Sequence, residues 1–108
     1  MRKKIYSYLG FATKSGNLMC GFNTCTAAMR RGRAKLLLVA EDISENTGEK
    51  IIREAEKTRT VWRKCLDMKS LSEITGEDNA GIFAVTDDNF AKVILTEIDG
   101  EQAPEQEV

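Results

Sequence analysis

Two short runs of uninterrupted apolar residues constrain the fold of this 108-residue chain more than any other feature. The first run is LLLVA at residues 36–40, and the second is IFAV at residues 82–85. Neither run alternates apolar with polar positions, so both are predicted to be strands that are buried on both faces. Such a sheet needs helices on both of its faces.

Helical periodicity surrounds the two apolar runs. Ile5, Leu9 and Ala12 recur at helical spacing and predict a first helix that ends near Gly16. A second helix is predicted from about Asn23 to residue 31, followed by a left-handed glycine cap at residue 32.

Three further helices are indicated by their capping residues. Asn46 and Glu49 form a capping-box signature for the third helix. Asp67 is predicted to cap a short fourth helix that ends at Gly76, and the last helix is expected to open at residue 86 or 87.

The order of these elements predicts an α/β fold. Additional short strands are predicted at residues 18–19 and 60–65, so helices alternate with strands along the chain. Helices then cover both faces of a small, partly parallel sheet in one domain, residues 1–98. Residues 99–108 are acidic and polar, and we predict that they form a disordered tail.

The formal net charge of −1 conceals a segregation of charge along the chain. The first 40 residues contain eight basic residues and no acid, whereas all 17 acids lie at Glu41 or beyond. Five acids lie in the last twelve residues, and removing them raises the formal charge from −1 to +4. This pattern favours an amino-terminal half that faces a polyanion, but clustering by chance on a solvated face gives the same pattern.

The sequence lacks the residues that several classes of function require. Three cysteines without a secretory signal indicate free thiols in a reducing compartment. The lack of histidine disfavours both a zinc site and a cysteine nucleophile. We therefore expect no enzyme activity, metal, cofactor or small-molecule substrate. The longest apolar run is far shorter than the roughly 20 residues that cross a bilayer, so we expect a cytoplasmic protein without a membrane partner. We also expect a monomer.

Two segments resemble the ribosomal protein L7Ae family and its L30e relatives, particularly small bacterial members. They are residues 15–47, SGNLMCGFNTCTAAMRRGRAKLLLVAEDISENT, and residues 71–94, LSEITGEDNAGIFAVTDDNFAKVI. The resemblance extends over about residues 4–96. It implies a three-layer α-β-α sandwich around a small mixed sheet, which agrees with the order of elements.

The resemblance also implies RNA binding. Members of the family bind kink-turns or related internal loops in RNA, using the start of the second helix and the loop before the last strand. A structured RNA, ribosomal RNA included, is therefore the expected partner. An asparagine at the helix start can pair with a base edge, and basic side chains can contact phosphates. The resemblance indicates Gly21, Asn23 and Thr24 at the helix start and Asn79 and Ala80 in the loop. The basic residues that could supply the phosphate contacts are Lys14, Arg30, Arg31 and Lys35.

Among the departures from the pattern of kink-turn binders in this family, two lie on the second helix. Those proteins usually have Glu directly after the Asn and Lys three residues further on, where this chain has Thr24 and Ala27. Two lost base contacts, each worth roughly 1–3 kcal/mol, would weaken binding to a standard kink-turn. Two alternatives stay open: Asn23 is a helix cap alone, or the chain is a protein-interaction member of the fold with a weakened RNA face.

Overall fold

The computed structural model describes residues 3–78 and 81–102, which form five helices around one four-stranded sheet. Within this part of the chain, no helix is both long and apolar enough to cross a membrane. In chain order the elements are α1 (Lys3–Lys14), β1 (Leu18–Cys20), α2 (Phe22–Arg30), β2 (Leu36–Val39), α3 (Glu45–Lys57), β3 (Trp62–Lys64), α4 (Met68–Thr75), β4 (Ile82–Val85) and α5 (Asp88–Gln102).

The sheet is mixed, with the strand order β1-β4-β2-β3. β4 runs antiparallel to both of its neighbours, β1 and β2, whereas β2 and β3 are parallel. The two strands predicted from the uninterrupted apolar runs, β2 and β4, occupy the centre. Every residue of both strands is buried, as predicted.

Helices cover both faces of the sheet, which confirms the three-layer α-β-α sandwich. α1, α4 and α5 pack against one face, where Leu36, Leu38 and Phe83 join a hydrophobic core with residues of these helices. α2 and α3 pack against the other face around Leu37 and Val39. Because neighbouring side chains of a strand point to opposite faces, one apolar run supplies both cores.

The strand ends lie in two rows, which we call the upper and lower ends of the sheet. The upper end holds the ends of β1, β2 and β3 and the start of β4, since Cys20 pairs with Phe83 and Val39 pairs with both Ile82 and Lys64. The lower end holds the opposite strand ends. α2 starts at the upper end and finishes at the lower one, about 13 Å away at 1.5 Å per residue.

Several predicted helix boundaries are confirmed. The Asp67 carboxylate accepts a hydrogen bond from Ser70 N (3.2 Å) at the start of α4, which ends in a left-handed Gly76. At the start of α5, Asp87 accepts from Phe90 N (2.9 Å). Gly32, after α2, has φ 73°, the positive value expected of a left-handed cap.

Two predicted boundaries are wrong. α3 is capped by Ser44, whose hydroxyl accepts from Thr47 N (3.3 Å), and Asn46 lies inside its first turn. A serine two residues earlier supplies the same acceptor, so the capping box is not used. The strand predicted at residues 60–65 is limited to Trp62–Lys64. Thr60 N still donates to Ala55 O of α3, so the chain is turning there rather than pairing with β2.

The predicted domain boundary after Ile98 is also too early, because α5 continues to Gln102. The Asp99 carboxylate accepts two hydrogen bonds from Arg63 of β3, at 2.8 and 3.3 Å. This ion pair ties the last turns of α5 to the edge strand of the sheet. The remainder of the predicted tail, residues 103–108, lies outside the described residues.

Candidate functional site

α2 begins at a glycine whose backbone conformation is rarely adopted by residues that have a Cβ. Gly21 has φ 109° and ψ 153°, a region that is essentially limited to glycine. Its N–H donates to the carbonyl of Ile82 (3.0 Å), and its own carbonyl accepts from Cys25 N (3.0 Å). These two bonds hold the start of α2 against the first residue of β4 at the upper end of the sheet.

Asn23 and Thr24 are exposed at this helix start. No side chain caps α2, and the first N–H groups of a helix have no intrahelical acceptor. Within the described residues, the N–H groups of residues 22–24 and the side chains of Asn23 and Thr24 therefore have no hydrogen-bond partner. The cap alternative for Asn23 is wrong, since Gly21 holds the cap position and Asn23 lies in the first turn.

An apolar groove of about 390 Å³ opens beside this helix start. Gly81 shapes it, because a Cβ there would lie 3.2 Å from Ile43 Cδ1 and 3.6 Å from Met68 Cε. Periodicity gives no sign of such a groove, which depends on how three helix starts meet. The lining residues are Cys20, Gly21, Phe22, Ile43, Ser44, Thr47, Met68, Gly81 and Ile82.

The start of α4 forms the far side of the groove and is held by two carboxylates. Asp42 accepts from Met68 N (2.9 Å), and Asp67 accepts from Ser70 N. Leu66, which directly precedes Asp67, has φ 62°, a conformation that is rare for a bulky residue. The Leu66 carbonyl accepts from Glu41 N (2.8 Å), which holds the strained residue in place. No local signal at Asp42 connects it with α4, 26 residues along the chain.

The upper end of the sheet is acidic, and the thiols there have raised pKa values. Burial, and then the charge of Glu77, raises the pKa of Cys20. Burial, and then Cys20, raises the pKa of Cys25 to about 12. Thiols in this state are protonated at neutral pH and are poor nucleophiles or metal ligands. The acidic rim consists of Glu41, Asp42, Asp67, Glu77 and Asp78.

The predicted basic residues lie at the lower end, away from this groove. Arg30 donates to both carboxylate oxygens of Glu54 in α3, at 3.3 and 3.1 Å. Arg31, directly after α2, is exposed, as is Lys14 at the end of α1. Lys35 is also exposed, and its ammonium donates to the carbonyl of the turn at residue 32 (3.2 Å).

The structure therefore divides the predicted site residues into two groups. Gly21, Asn23 and Thr24 lie together at the upper end, and the basic residues lie at the lower end. Asn79 and Ala80 lie outside the described residues. Within residues 3–78 and 81–102, no three His, Cys, Asp or Glu side chains are placed to hold a metal ion.

A sequence model of the ribosomal protein L7Ae/L30e/S12e/Gadd45 family matches residues 3–95. The chain belongs to this family. It is 28% identical over 94 residues to the RNA-binding protein YlxQ of Bacillus subtilis (strain 168), covering 87% of this chain and 94% of that protein. It is 32% identical over 102 residues to the RNA-binding protein YlxQ of Enterococcus faecium, covering 92% and 95%.

Solved structures share this fold. A protein of unknown function from Bacillus halodurans C superposes with a TM-score of 0.83 at 20% identity, covering 87% of this chain and 95% of that one. The Giardia lamblia 15.5kD RNA binding protein superposes with a TM-score of 0.70 at 13% identity, covering 90% and 82%. At these identities the comparison supports the architecture alone.

One position of the family pattern has a different environment from the one expected. Ala27 is predicted to be exposed, because Cys25, Ala28 and Met29 supply the inner face of α2. Ala27 is instead half-buried. Neighbouring helix positions are only 100° apart, so the residue beside buried Ala28 lies at the margin of the core rather than opposite it.

Proposed function

We propose that this protein binds a structured RNA, a kink-turn or a related internal loop, through the start of α2, and that it associates with the ribosome. One observation carries the proposal. The Asn23 amide and three first-turn N–H groups are without partners in the described structure, and they lie at the rim of an apolar groove. The relatives named RNA-binding proteins support RNA as the ligand.

The chemistry of this surface fits the bases of an internal loop. Internal loops splay bases out of the stack, so side chains can reach edges that a regular RNA helix hides. The Asn23 amide both donates and accepts, and therefore matches a base edge that does the same. The N–H groups of residues 22–24 suit base or phosphate acceptors. An unstacked base in the groove would contact Phe22, Ile43 and Met68.

The acidic rim means that shape and hydrogen bonding dominate this contact. Phosphate contacts by basic side chains make RNA binding steeply dependent on salt. The basic residues of the predicted site are at the lower end of the sheet, whereas Glu77 is close enough to Cys20 to raise its pKa. Binding through the start of α2 is therefore expected to depend weakly on salt.

A titration with one substitution tests this function. The RNA is a blunt-ended kink-turn without single-stranded arms, and the comparison RNA is a duplex of the same length without the internal loop. Asn23→Ala should weaken kink-turn binding about 5- to 150-fold, the loss of one good base contact, and leave duplex binding unchanged. Thr96→Ala is the control, since Thr96 is an exposed polar residue of α5 that does not line the groove.

Equal binding of the kink-turn and the duplex by the wild-type protein would refute the proposal. So would equal kink-turn affinities for Asn23→Ala and Thr96→Ala. Ribosome association is tested separately by sedimentation of the protein with ribosomal subunits through sucrose gradients. Cosedimentation of the wild type that is reduced by Asn23→Ala is the expected result.

The acidic rim favours a second candidate, a protein-binding groove. An apolar groove beside Asp42, Glu77 and Asp78 is complementary to a peptide with apolar and basic side chains. If this is the function, a labelled peptide of that composition binds and Glu77→Gln weakens it, while the kink-turn RNA does not compete.

A further inference from the structure

Four turns of the chain lie side by side at the lower end of the sheet. Thr86 N donates to Asn17 O (3.0 Å), which joins the turn before β1 to the turn after β4. Lys35 N donates to Val85 O (2.7 Å), which joins the turn before β2 to the end of β4. Leu37 N donates to the carbonyl of residue 61 (2.8 Å), just before β3. With strands about 4.8 Å apart, the four turns form one continuous row about 14 Å long.

This row is basic. Exposed cations lie in the turns before β2 and β3 and at the last residue of α1, directly before the turn that leads to β1. None of them forms an ion pair with a carboxylate within the described residues. Arg30 is different, because Glu54 of α3 occupies its guanidinium. The acids of the row, Asp87 and Asp88, follow β4, and Asp87 accepts the N–H of Phe90 as the cap of α5. The basic row consists of Lys14, Arg31, Arg33, Lys35 and Arg59.

An exposed aromatic groove of about 450 Å³ adjoins the basic row. It is lined by Tyr8, Phe11, Asp87, Asn89, Phe90 and Val93. Phe11 is 58% exposed, the highest value among the exposed large hydrophobic residues. It precedes Lys14 by three residues on α1, and residues at that spacing are neighbours on a helix surface.

We propose that the basic row and the aromatic groove form a second RNA-binding surface, which takes a single-stranded segment. Cations that track the backbone beside aromatic rings that stack bases are the two elements of such sites. Phosphates would lie along the basic row, and an unpaired base would stack on Phe11. The surface shares no residue with the groove at the start of α2, and about 13 Å of helix separates the two. One molecule can therefore hold an internal loop at its upper end and a single strand at its lower end.

The stacking half of the proposal is tested with a short fluorescein-labelled oligouridylate by fluorescence anisotropy. Phe11→Ala should weaken binding about 5- to 150-fold, the effect of losing one base stack. Tyr6→Ala is the matched control, since Tyr6 is 43% exposed on the same helix but does not line the groove. Thermal melting of both variants establishes that the fold is retained. Equal affinities for the two variants would overturn the stacking site.

The phosphate half is tested by the salt dependence of the same binding. Arg33→Gln with Lys35→Gln should reduce the slope of log affinity against log salt by about 1.4, at 0.7 per phosphate contact on a single strand. The control pair is Lys50→Gln with Arg53→Gln, two exposed cations of α3. A slope change no larger than that of the control pair would contradict the basic row as the contact.

Competition between the two RNAs separates this proposal from the function proposed above. An excess of the blunt-ended kink-turn should leave the labelled oligouridylate bound, and Asn23→Ala should not change its affinity. Displacement of the oligouridylate by the kink-turn would show a single shared surface and overturn the proposal. If the kink-turn does not bind at all, the response to Phe11→Ala and to Arg33→Gln with Lys35→Gln still decides it.

Discussion

The two ends of α2 open onto surfaces of opposite character. At the upper end, helix N–H groups and the Asn23 amide lie beside an apolar groove within an acidic rim. At the lower end, exposed cations lie beside exposed aromatic rings. The same helix connects them, so the distance between hydrogen-bonding groups and cations is set by its nine residues.

In the functions proposed above, this difference separates base reading from phosphate binding, two tasks whose residues lie in one short segment of the sequence. Base edges are read by directional hydrogen bonds, and phosphates are held by charge. When both kinds of residue occur within fifteen positions of one another, a single interface is the natural interpretation. Here the helix places them at opposite ends of the sheet, so a helix of ordinary length is enough to make two surfaces from one motif.

The largest effect is expected from replacing the two glycines that lie just before and just after α2. Gly21→Ala should lower the free energy of unfolding by about 3 kcal/mol, because φ 109° with ψ 153° is almost closed to residues with a Cβ. Gly32→Ala should cost about 1 kcal/mol, because φ 73° lies in the left-handed region that other residues can enter. Urea unfolding at constant m-value measures both.

Crowding cannot explain such a difference. A Cβ at Gly21 would meet only Thr24 Oγ1, at 4.0 Å, and a Cβ at Gly32 would meet nothing within 4 Å among the described atoms. Equal losses for the two substitutions would mean that the start of α2 relaxes to another conformation. The precise placement of Asn23 would then not depend on Gly21.

Much of the fold can be predicted because its signals are local. The uninterrupted apolar runs of β2 and β4 require a sheet that is covered twice, and Asp67, Gly76 and Asp87 mark helix ends by their own chemistry. The wrong boundaries occur where a contact with a residue distant in the sequence determines the structure. Arg63 of β3 donates to Asp99 of α5, 36 residues away, and no periodicity within α5 reveals that contact.

The candidate site was harder to predict than the fold, for the same reason. Gly21 and Asn23 belong to one continuous motif, and the family resemblance identifies them. The groove beside them depends on Gly81 and Ile43, which lie in different loops and meet only in the folded chain. The occupation of Arg30 by Glu54 is likewise a contact across 24 residues. Counting charges along the sequence cannot distinguish Arg30 from Arg31.

An intermediate effect is expected from removing two charges of the acidic rim. Glu77→Gln with Asp78→Asn should raise kink-turn affinity about 2- to 30-fold, since two exposed charges at about 0.2–1 kcal/mol each contribute roughly 0.4–2 kcal/mol. Oligouridylate binding at the lower end should not change. The control is Glu49→Gln with Glu56→Gln, two exposed acids of α3.

Cys20 reports on the same substitution independently of RNA. A carboxylate disfavours a nearby thiolate, so removing Glu77 should lower the pKa of Cys20 and speed its alkylation by iodoacetamide at a given pH. The pKa should stay above its ordinary value, because burial is the larger cause of its rise. An unchanged alkylation profile would contradict the effect of Glu77 on Cys20. An equal gain in RNA affinity for the α3 control would contradict a specific effect of the acidic rim on RNA binding.

The smallest expected effect distinguishes two neighbouring arginines at the end of α2. Arg30→Gln should leave oligouridylate binding nearly unchanged, because Glu54 already occupies that guanidinium, whereas Arg31→Gln should weaken it.

The effects of the two substitutions on stability should be reversed. The hydrogen bond from Arg30 lowers the pKa of Glu54 below its usual 4.5, so the pair stabilises the folded state above that pH and the contribution is lost as pH falls through the lowered value. The melting temperature of Arg30→Gln should therefore lie slightly below that of the wild type at pH 7 and approach it in acid, while Arg31→Gln shows no such convergence. Lys57, whose ammonium lies 3.7 Å from the Glu54 carboxylate, retains part of the effect and keeps it small. Equal weakening of oligouridylate binding by both substitutions would place Arg30 in the basic row, because phosphate would then compete successfully with Glu54 for its guanidinium.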